Sequence, residues 1–583
     1  GEDENDFGKD MIYIKELYIK NFKSIEEEKI EFNRGLNILV GPNNAGKTNI
    51  MEAIDLLLGD VYLPNFEPST DHFFNGEEDR EIIIEALLED DGNGLKEINE
   101  EFDSQVYIRF KFSKQNGGLF EIKKNGQWQT KGSKNKQSPF GYYFDFDKKL
   151  FFLRVKSLRN IMEIAPIRWK SPLKYFKEII IKKAPKEKLD DVISSIDEAK
   201  NKLMNINEVR KIIADLEKIS KDQTDIKKIN LLPSSTKYSD FLNEMKILID
   251  DGYISEVSKK GLGTQNLIII SLFRVMAKYI RDEEKKFIIY GFDEPEIGLH
   301  PHSQRQLMFS LKNLSEYSQV IITTHSDRLI DITQIDNIIR VGKEDNKTKH
   351  YKINLSPDER KILEIHGSNL QEIFFAKRVL IVEGYTEEGF FPEISKKFSE
   401  VRENDNEKVN YSFDYNSVSV INSEGDKIWF FIKLVKNLNI PFIALIDDDK
   451  LDNIELFLRK MKENNLITEE ESQIKRLDIG NLKDSLKKYN VYICKPFEKM
   501  ISESGSEDTL RKIIKAIKFV KEHWGYEVKH IDLGIENGDL RKKVFELLKN
   551  NKRWRIGKAI AQELEPNEIP GAYIEIIKKI SKL

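Results

Sequence analysis

The chain has 583 residues, of which 39% are apolar and 33% charged, and a formal net charge of −5 that neither favours nor excludes a nucleic-acid partner. Its length exceeds one ordinary core and points to roughly two to four domains. A single cysteine, Cys494, excludes an internal disulfide framework and a cysteine-based zinc site and fits a reducing cytoplasm; no run approaches the ~20 apolar residues of a membrane span, no secretory signal is read, and no membrane partner is expected.

Residues 12–25 alternate apolar and polar side chains and predict a strand. Residues 28–40 predict one or two more, ending in the apolar run L-N-I-L-V. The loop G-P-N-N-A-G-K-T follows at 41–48, and Asn49 to Leu58 reads as a helix. Strands are predicted at 80–89 and 105–113, with a Gly- and Asn-rich hairpin signal at 115–126. From 171 to 249 apolar residues recur at spacings of three and four, the pattern of amphipathic helices. These either pack on their own protein or form an arm that pairs with a second subunit. Strand-like runs return at 287–293 and 319–324. A new α/β pattern opens near 377, so a boundary is expected between 355 and 376. Residues 450–490 read as a charge-rich local insertion. Residues 506–583 read as mostly helical, with Pro566 and Pro570 breaking the last segment.

The 41–48 loop is a complete P-loop between a buried strand and a helix. Its glycines Gly41 and Gly46 allow consecutive backbone N–H groups to surround a phosphate chain at a helix N-terminus. Lys47 neutralises the terminal phosphates, and the Thr48 hydroxyl serves Mg²⁺. Asn43, Asn44 and Asn49 complete the candidate nucleotide contacts. In F-I-I-Y-G-F-D-E-P-E, Asp293 ends an apolar strand and is a candidate Mg²⁺ ligand. Glu294 is placed to activate the attacking water. His325, in T-T-H-S, stands at the end of the next strand, within the range of a γ-phosphate contact.

A second acidic set lies downstream. Glu383 ends the strand R-V-L-I-V, and Glu387 follows one helical turn on. Asp447 and Asp449 end I-A-L-I-D-D-D and share one side if the chain stays extended. Convergent carboxylates repel unless cations sit among them. All-oxygen ligands favour Mg²⁺ or Mn²⁺, and two such ions about 3.5–4 Å apart clamp the attacking and leaving oxygens of a phosphodiester.

The P-loop, K-G-L-G-T-Q-N at 260–266, D-E-P-E-I-G-L-H-P at 293–301 and T-T-H-S at 323–326 together resemble an ABC-type ATPase head of the split, SMC-like kind. That resemblance implies that two heads sandwich ATP and that Gly261, Gly263 and their neighbours complete the partner's site. Leu262 stands where related heads often carry serine, which removes a hydroxyl from that contact. Asp71 resembles an acidic residue found after the P-loop in this class, although a solvated loop explains it as well. The acidic set resembles a Toprim domain. The order of head and Toprim resembles the OLD (overcoming lysogenization defect) nucleases, including the nuclease subunit of Gabija-type antiphage systems. By position, Glu383, Glu387, Asp447, Asp449 and Glu498 match that family's metal-binding acids, and Lys558 its C-terminal catalytic lysine. Ser423 and Gly425 lie where the family carries a glycine-rich turn.

The fold implied is α/β: an ATPase head in two halves, 11–170 and 250–365, interrupted by a helical insertion at 171–249 that is a candidate for dimerisation, then a Toprim domain with a helical C-terminal part at 366–583. The function implied is an ATP-binding, Mg²⁺- or Mn²⁺-dependent DNA endonuclease in antiphage defence, acting as a homodimer or higher homo-oligomer, with a partner protein of a defence system open. An ATP-gated DNA clamp without nuclease activity remains an alternative. So does an enzyme that cuts RNA, because metal–phosphodiester chemistry does not select the sugar.

Overall fold

The computed structural model describes residues 11–133, 136–137, 139–156, 182–207, 210–211, 248–250, 252–330, 332–401, 408–467, 479–525, 527–529 and 539–583. Most of the expected insertion at 171–249, and part of 450–490, lie outside these residues. The chain divides into two compact units, one formed by residues up to Ile38 with Thr48–Thr324, the other by Leu39–Lys47 with His325–Leu583.

In the first unit, β1 (Ile12–Phe22), β2 (Ile25–Glu31), β4 (Ile82–Asp90), β5 (Gln105–Ser113), β6 (Gly117–Lys124) and β7 (Gln127–Gln129) form an antiparallel sheet in the order β2-β1-β4-β5-β6-β7. Its edges resist further pairing, since β2 reads I-E-E-E-K-I-E and β7 is only three residues long. β1 buries Ile12 and Ile14 and then Leu17 and Ile19, the alternation slipping by one residue at an irregularity between Ile14 and Glu16 that the sequence pattern did not mark. β3 (Leu36–Val40) leads to the P-loop and α1 (Lys47–Leu58). Strands β8 (Leu150–Val155), β9 (Phe287–Asp293) and β10 (Val320–Thr323) run parallel, and Asp293 ends β9. Buried Gln319 ties the layers together: its amide bonds Ile14 N–H and C=O, each at 2.8 Å, and Asn33 C=O at 2.9 Å. Within the expected insertion, α2 (Lys186–Met204) is helical, in line with its periodicity. The unit also contains the longer helices α3 (Leu262–Glu284) and α4 (Pro301–Leu314).

In the second unit, the hairpin β11 (Ile338–Glu344) and β12 (Lys347–Lys352) lies under the P-loop. Beyond it, β13 (Arg378–Val382), β14 (Val418–Asn422), β15 (Phe442–Asp447) and β16 (Val491–Cys494) form a wholly parallel sheet in the order β14-β13-β15-β16. Parallel strands covered on both faces need continuous apolar runs, and R-V-L-I-V and F-I-A-L-I supply them. The chain leaves β13 for β14 on one side and returns to β15 on the other. That reversal opens a crevice at the carboxyl ends of β13 and β15, the place where open α/β sheets bind ligands. Its helices include α5 (Tyr385–Ser395), α6 (Ile428–Asn437), α7 (Phe497–Ser504), α8 (Glu507–Trp524), α9 (Leu540–Asn550), α10 (Trp554–Glu563) and α11 (Gly571–Ile580). Pro566 opens a 3₁₀ turn and Pro570 caps α11, so the predicted breaks occur.

α5 and α10 cross with almost no space between their backbones. A Cβ on Gly557 would stand 1.8 Å from Thr386 C=O, and one on Gly389 would stand 1.9 Å from Trp554 C=O. Neither contact involves a side chain that can move aside. Gly557→Ala is expected to lower the thermal unfolding midpoint of the second unit by an amount equivalent to about 1–3 kcal/mol, readable by calorimetry. An unchanged midpoint would mean that the helices separate without cost.

Candidate functional site

The P-loop takes the backbone path its glycines permit. Gly41 and Gly46 have φ of +145° and +107°, and Asn44 has φ of +62°. A Cβ on Gly41 would meet Val341 C=O at 2.0 Å, and one on Gly46 would meet the Thr348 hydroxyl at 2.1 Å. Thr348 Oγ1 donates to Ala45 C=O at 3.0 Å, which seats the loop on the β11–β12 hairpin. Lys47 is buried, and its ammonium donates to Gly41 C=O at 2.8 Å and Pro42 C=O at 3.1 Å. Asn43, Asn44 and Thr48 are exposed. In the first unit, Asn49 Nδ2 donates to Ser24 Oγ at 2.6 Å.

Asp293 ends β9, as its sequence predicts, and meets a cation that the sequence did not suggest. Arg154, on the adjacent strand β8, reaches Asp293 Oδ2 at 2.7 Å, with Glu52 and Asp55 each 3.7 Å away. Burial pushes the Asp293 carboxyl up and Arg154 opposes the shift. Burial likewise pushes Asp55 up to about 6. Glu294 sits at φ of +46°, a left-handed conformation in which its N–H donates to Thr323 C=O at 3.0 Å. Strained non-glycine backbone of this kind gathers at functional sites. Buried Thr324 donates to Glu296 at 2.6 Å, and His325 follows it exposed.

The signature-like segment opens α3. Gly261 caps that helix with open space around its Cα, and Leu262 is its first residue. Gly263 has a packing reason of its own, since a Cβ there would stand 2.6 Å from Ser303 Oγ on α4. Gln265 Nε2 folds the segment by donating to Lys260 C=O at 2.7 Å. Asp71 lies exposed in a 3₁₀ turn, where the Ser69 hydroxyl holds its carboxyl below the usual range.

The acidic centre forms at the crevice. Glu383 follows β13 directly, and Glu387 stands in the first turn of α5. The Asp447 N–H donates to Glu383 Oε1 at 2.9 Å, which ties the two strand ends together. Glu387 folds back over the preceding turn, where a Cβ on Gly384 would stand 2.6 Å from Glu387 Oε2. Glu498 enters from the first turn of α7 and is buried. Ser423 Oγ donates to Val382 C=O at 3.0 Å, and Gly425 N–H to Glu383 C=O at 3.2 Å, so this turn latches the end of β13. Asp449 departs from its expected extended register: the strand stops at Asp447, and a 3₁₀ helix spans Asp448–Asn453.

These groups strain one another. Burial first, then the charges of Glu383, Glu387, Asp449 and Glu498, push Asp447 up to about 8. Burial, with Glu498 and Glu383 adding repulsion, pushes Glu387 up to about 7. Burial also raises Glu383. Two lysines that sequence reading did not select answer this charge. Lys552 Nζ pairs with Glu498 at 2.9 Å, and Lys450 Nζ lies 3.7 Å from Glu383 and 2.6 Å from Asp426. Lys558 lies on α10 with its ammonium 5.2 Å from the Trp554 ring centroid. Among the described residues no three His, Cys, Asp or Glu side chains close into a metal-holding group. The donor chemistry nevertheless fits hard divalent cations: every candidate ligand is a carboxylate, and the repulsion among them is what a cation relieves.

Family models for an AAA ATPase domain and an AAA domain match residues 152–330 and 16–231, and one for the Overcoming lysogenization defect protein-like TOPRIM domain matches residues 374–449. The chain is 24% identical to the OLD nuclease of Thermus scotoductus over 75% of this chain and 82% of that protein. It is 26% identical to the Old nuclease of Escherichia phage P2 over 76% and 78%, and 24% identical to Endonuclease GajA of Bacillus cereus over 75% and 77%. A solved Smc head bound to a domain of ScpA aligns with a TM-score of 0.37 at 18% identity over 59% of this chain and 99% of that one. The C-terminal region of the Xanthomonas campestris OLD protein aligns with a TM-score of 0.27 at 18% identity over 36% and 96%.

The raised carboxyls set a pH dependence. Asp447 at about 8 and Glu387 at about 7 lie above the unfolded carboxylate range, so between about pH 4 and 8 the folded state holds the extra protons. Their contribution to stability is present at acid pH and is lost as pH rises through that window. Asp447→Asn is therefore expected to raise the melting temperature of the metal-free protein near pH 8 and to change it little near pH 5. Calorimetry at constant ionic strength reads both. A variant that keeps the wild-type pH slope would show that Asp447 does not carry the strain.

Proposed function

We propose that this chain, an AAA-type ATPase joined to an OLD-like Toprim domain and a relative of the OLD nucleases, is an ATP-binding, metal-dependent DNA endonuclease. The observation that carries this reading is the acidic crevice. Four carboxylates from different elements act on Asp447, and the protein tolerates their repulsion at the switch point of a parallel sheet, where such sheets receive ligands. Such strain serves no purpose in a structural domain.

In this reading Glu383, Glu387, Asp447, Asp449 and Glu498 are the metal ligands. When bound, two divalent cations supply Lewis-acid charge for the displacement at phosphorus. The chain's own residues do the rest. The Asp447–Glu383 bond holds two carboxylates at a fixed spacing, and the Ser423–Gly425 turn fixes the end of β13. Lys552, from the turn into α10, together with Lys558 on that helix, stabilises charge on the phosphodiester as it reacts. In the ATPase head, residues 11–170 and 250–365, the P-loop from Gly41 through Asn49 holds the nucleotide with Thr48 and Asp293 on Mg²⁺, Glu294 activates water and His325 senses the γ-phosphate. Gly261 and Gly263 serve a second head in a homodimer. The setting proposed is the cytoplasm, in defence against phage.

The ATP-gated clamp is the rival, favoured by Leu262 and by the Arg154–Asp293 pair. One experiment separates them: cleavage of supercoiled plasmid with Mg²⁺ or Mn²⁺, and with ATP, a non-hydrolysable analogue or neither. Wild type is expected to cut. Asp447→Ala is expected to abolish cutting and keep ATP binding, and Lys47→Met to lose ATP binding. Lys552→Ala is expected to slow cutting about 10²-fold. Intact plasmid under every condition would leave the clamp.

A further inference from the structure

The nuclease reading takes Lys552 and Lys558 from the segment that leads from α9 into α10 but gives Trp554 and the arginines beside it no role. Residues 549–558 read K-N-N-K-R-W-R-I-G-K, with five cations and no carboxylate, in a chain whose net charge is −5. Lys549, Lys552, Arg553 and Arg555 are exposed, and so is Trp554, which leaves 43% of its surface open. An exposed indole in the middle of a cationic run is not explained by the core, which lies beneath it at Ile556 and Ile560.

The segment is rigidly built. Buried Asn551 pins the turn: its Nδ2 donates to Lys529 C=O at 2.9 Å and Leu547 C=O at 2.8 Å, and its Oδ1 accepts from Lys529 N–H at 2.9 Å. The Trp554 carbonyl lies against Gly389, so the backbone that carries the indole is fixed on α5. The segment also opens toward the acids. Lys552, two residues before Trp554, reaches Glu498 at 2.9 Å, and a span of two residues covers at most about 7 Å.

Resting on the nuclease reading, we propose that Trp554 is a stacking platform for an unpaired base, and that the flanking cations hold the phosphates of that same strand and lead it to the acidic crevice. The partner is thus a single-stranded or locally opened nucleic acid. An indole stacks on any base, because every base offers a π face, but in a duplex those faces are already stacked. The flanking positive charge selects a polyanion. Lys558, beside the ring, adds charge where the next phosphate of a stacked nucleotide follows.

The test reads binding by the full chain in chelator, where no cleavage occurs. Fluorescence anisotropy is measured with a thymine oligonucleotide of about 15 residues, its RNA counterpart and a matching duplex. Wild type is expected to prefer the single strands. Trp554→Ala is expected to weaken single-strand binding about tenfold, Trp554→Phe to stay within about threefold of wild type, and duplex binding to remain unchanged in both. Equal affinity of the DNA and RNA oligonucleotides supports stacking, since the platform reads the base and not the sugar. Indole fluorescence quenched by the oligonucleotide in wild type, and unquenched in Trp554→Phe, places the base on this ring. Trp554→Ala binding single strands as wild type does, or losing duplex and single strand alike, would overturn the proposal. A wild type that never cuts plasmid would sink the reaction proposed above while leaving this binding result standing.

Discussion

The arrangement of the acidic centre depends on two places where no side chain fits. At Gly389 and Gly557 the helices α5 and α10 approach until a single Cβ would collide with backbone. Because of that approach, the first turn of α5, which carries Glu387, and the turn into α10, which carries Lys552, arrive at the same crevice. Wider packing with ordinary side chains would separate the buried acid from the cation nearest to it. The glycines therefore act on electrostatics through geometry: they let charged groups from distant parts of the sequence share one low-dielectric volume.

The same unit holds the P-loop, and a continuous set of contacts runs from the loop toward the parallel sheet. Thr348 and Val341 press on Gly46 and Gly41 from the β11–β12 hairpin. From the same hairpin, buried Arg340 donates to Leu438 C=O at 2.8 Å and Ala376 C=O at 3.2 Å, just behind α6 and just before β13. A buried guanidinium normally seeks a carboxylate; here it bonds carbonyls, and burial lowers its pKa to about 10. At about 10 the group still carries its positive charge at neutral pH, and its planar fork fixes the direction of the joint between the nucleotide loop and the sheet. Coupling between sites needs contiguous packed groups of this kind, with two arrangements available to them.

Much of this was legible in the sequence, for a physical reason. Parallel strands buried on both faces must be continuous apolar runs, so the strands ending at Asp293, Glu383 and Asp447 announce themselves, and helical spacing places Glu387. Three features were not legible. Asp449 was expected in an extended register, but the chain turns into a 3₁₀ helix at Asp448, and nothing in D-D-D marks the change. Arg154 meets Asp293 across 139 residues of sequence, a pairing set by strand order and invisible to local pattern. Lys552 is one lysine among many in a chain that is one-third charged; only tertiary packing, with α7 against α9, brings it to Glu498. The strand L-F-F-L-R-V does show that Arg154 has to find a carboxylate, since it is a cation inside an apolar run, but not that the carboxylate is Asp293.

Charge segregation resolves what net charge left open. A formal −5 describes neither face of the catalytic half: the crevice concentrates carboxylates until two of them lie near neutral pH, while the turn beside it holds five cations in ten residues. Polyanion binding and divalent-cation binding make opposite demands on local potential, and one uniform surface cannot meet both. The Lys552–Glu498 pair is where the two fields meet. There the cationic turn pairs with one carboxylate of the site, while Asp447 and Glu387 keep the raised carboxyls that burial and mutual repulsion produce.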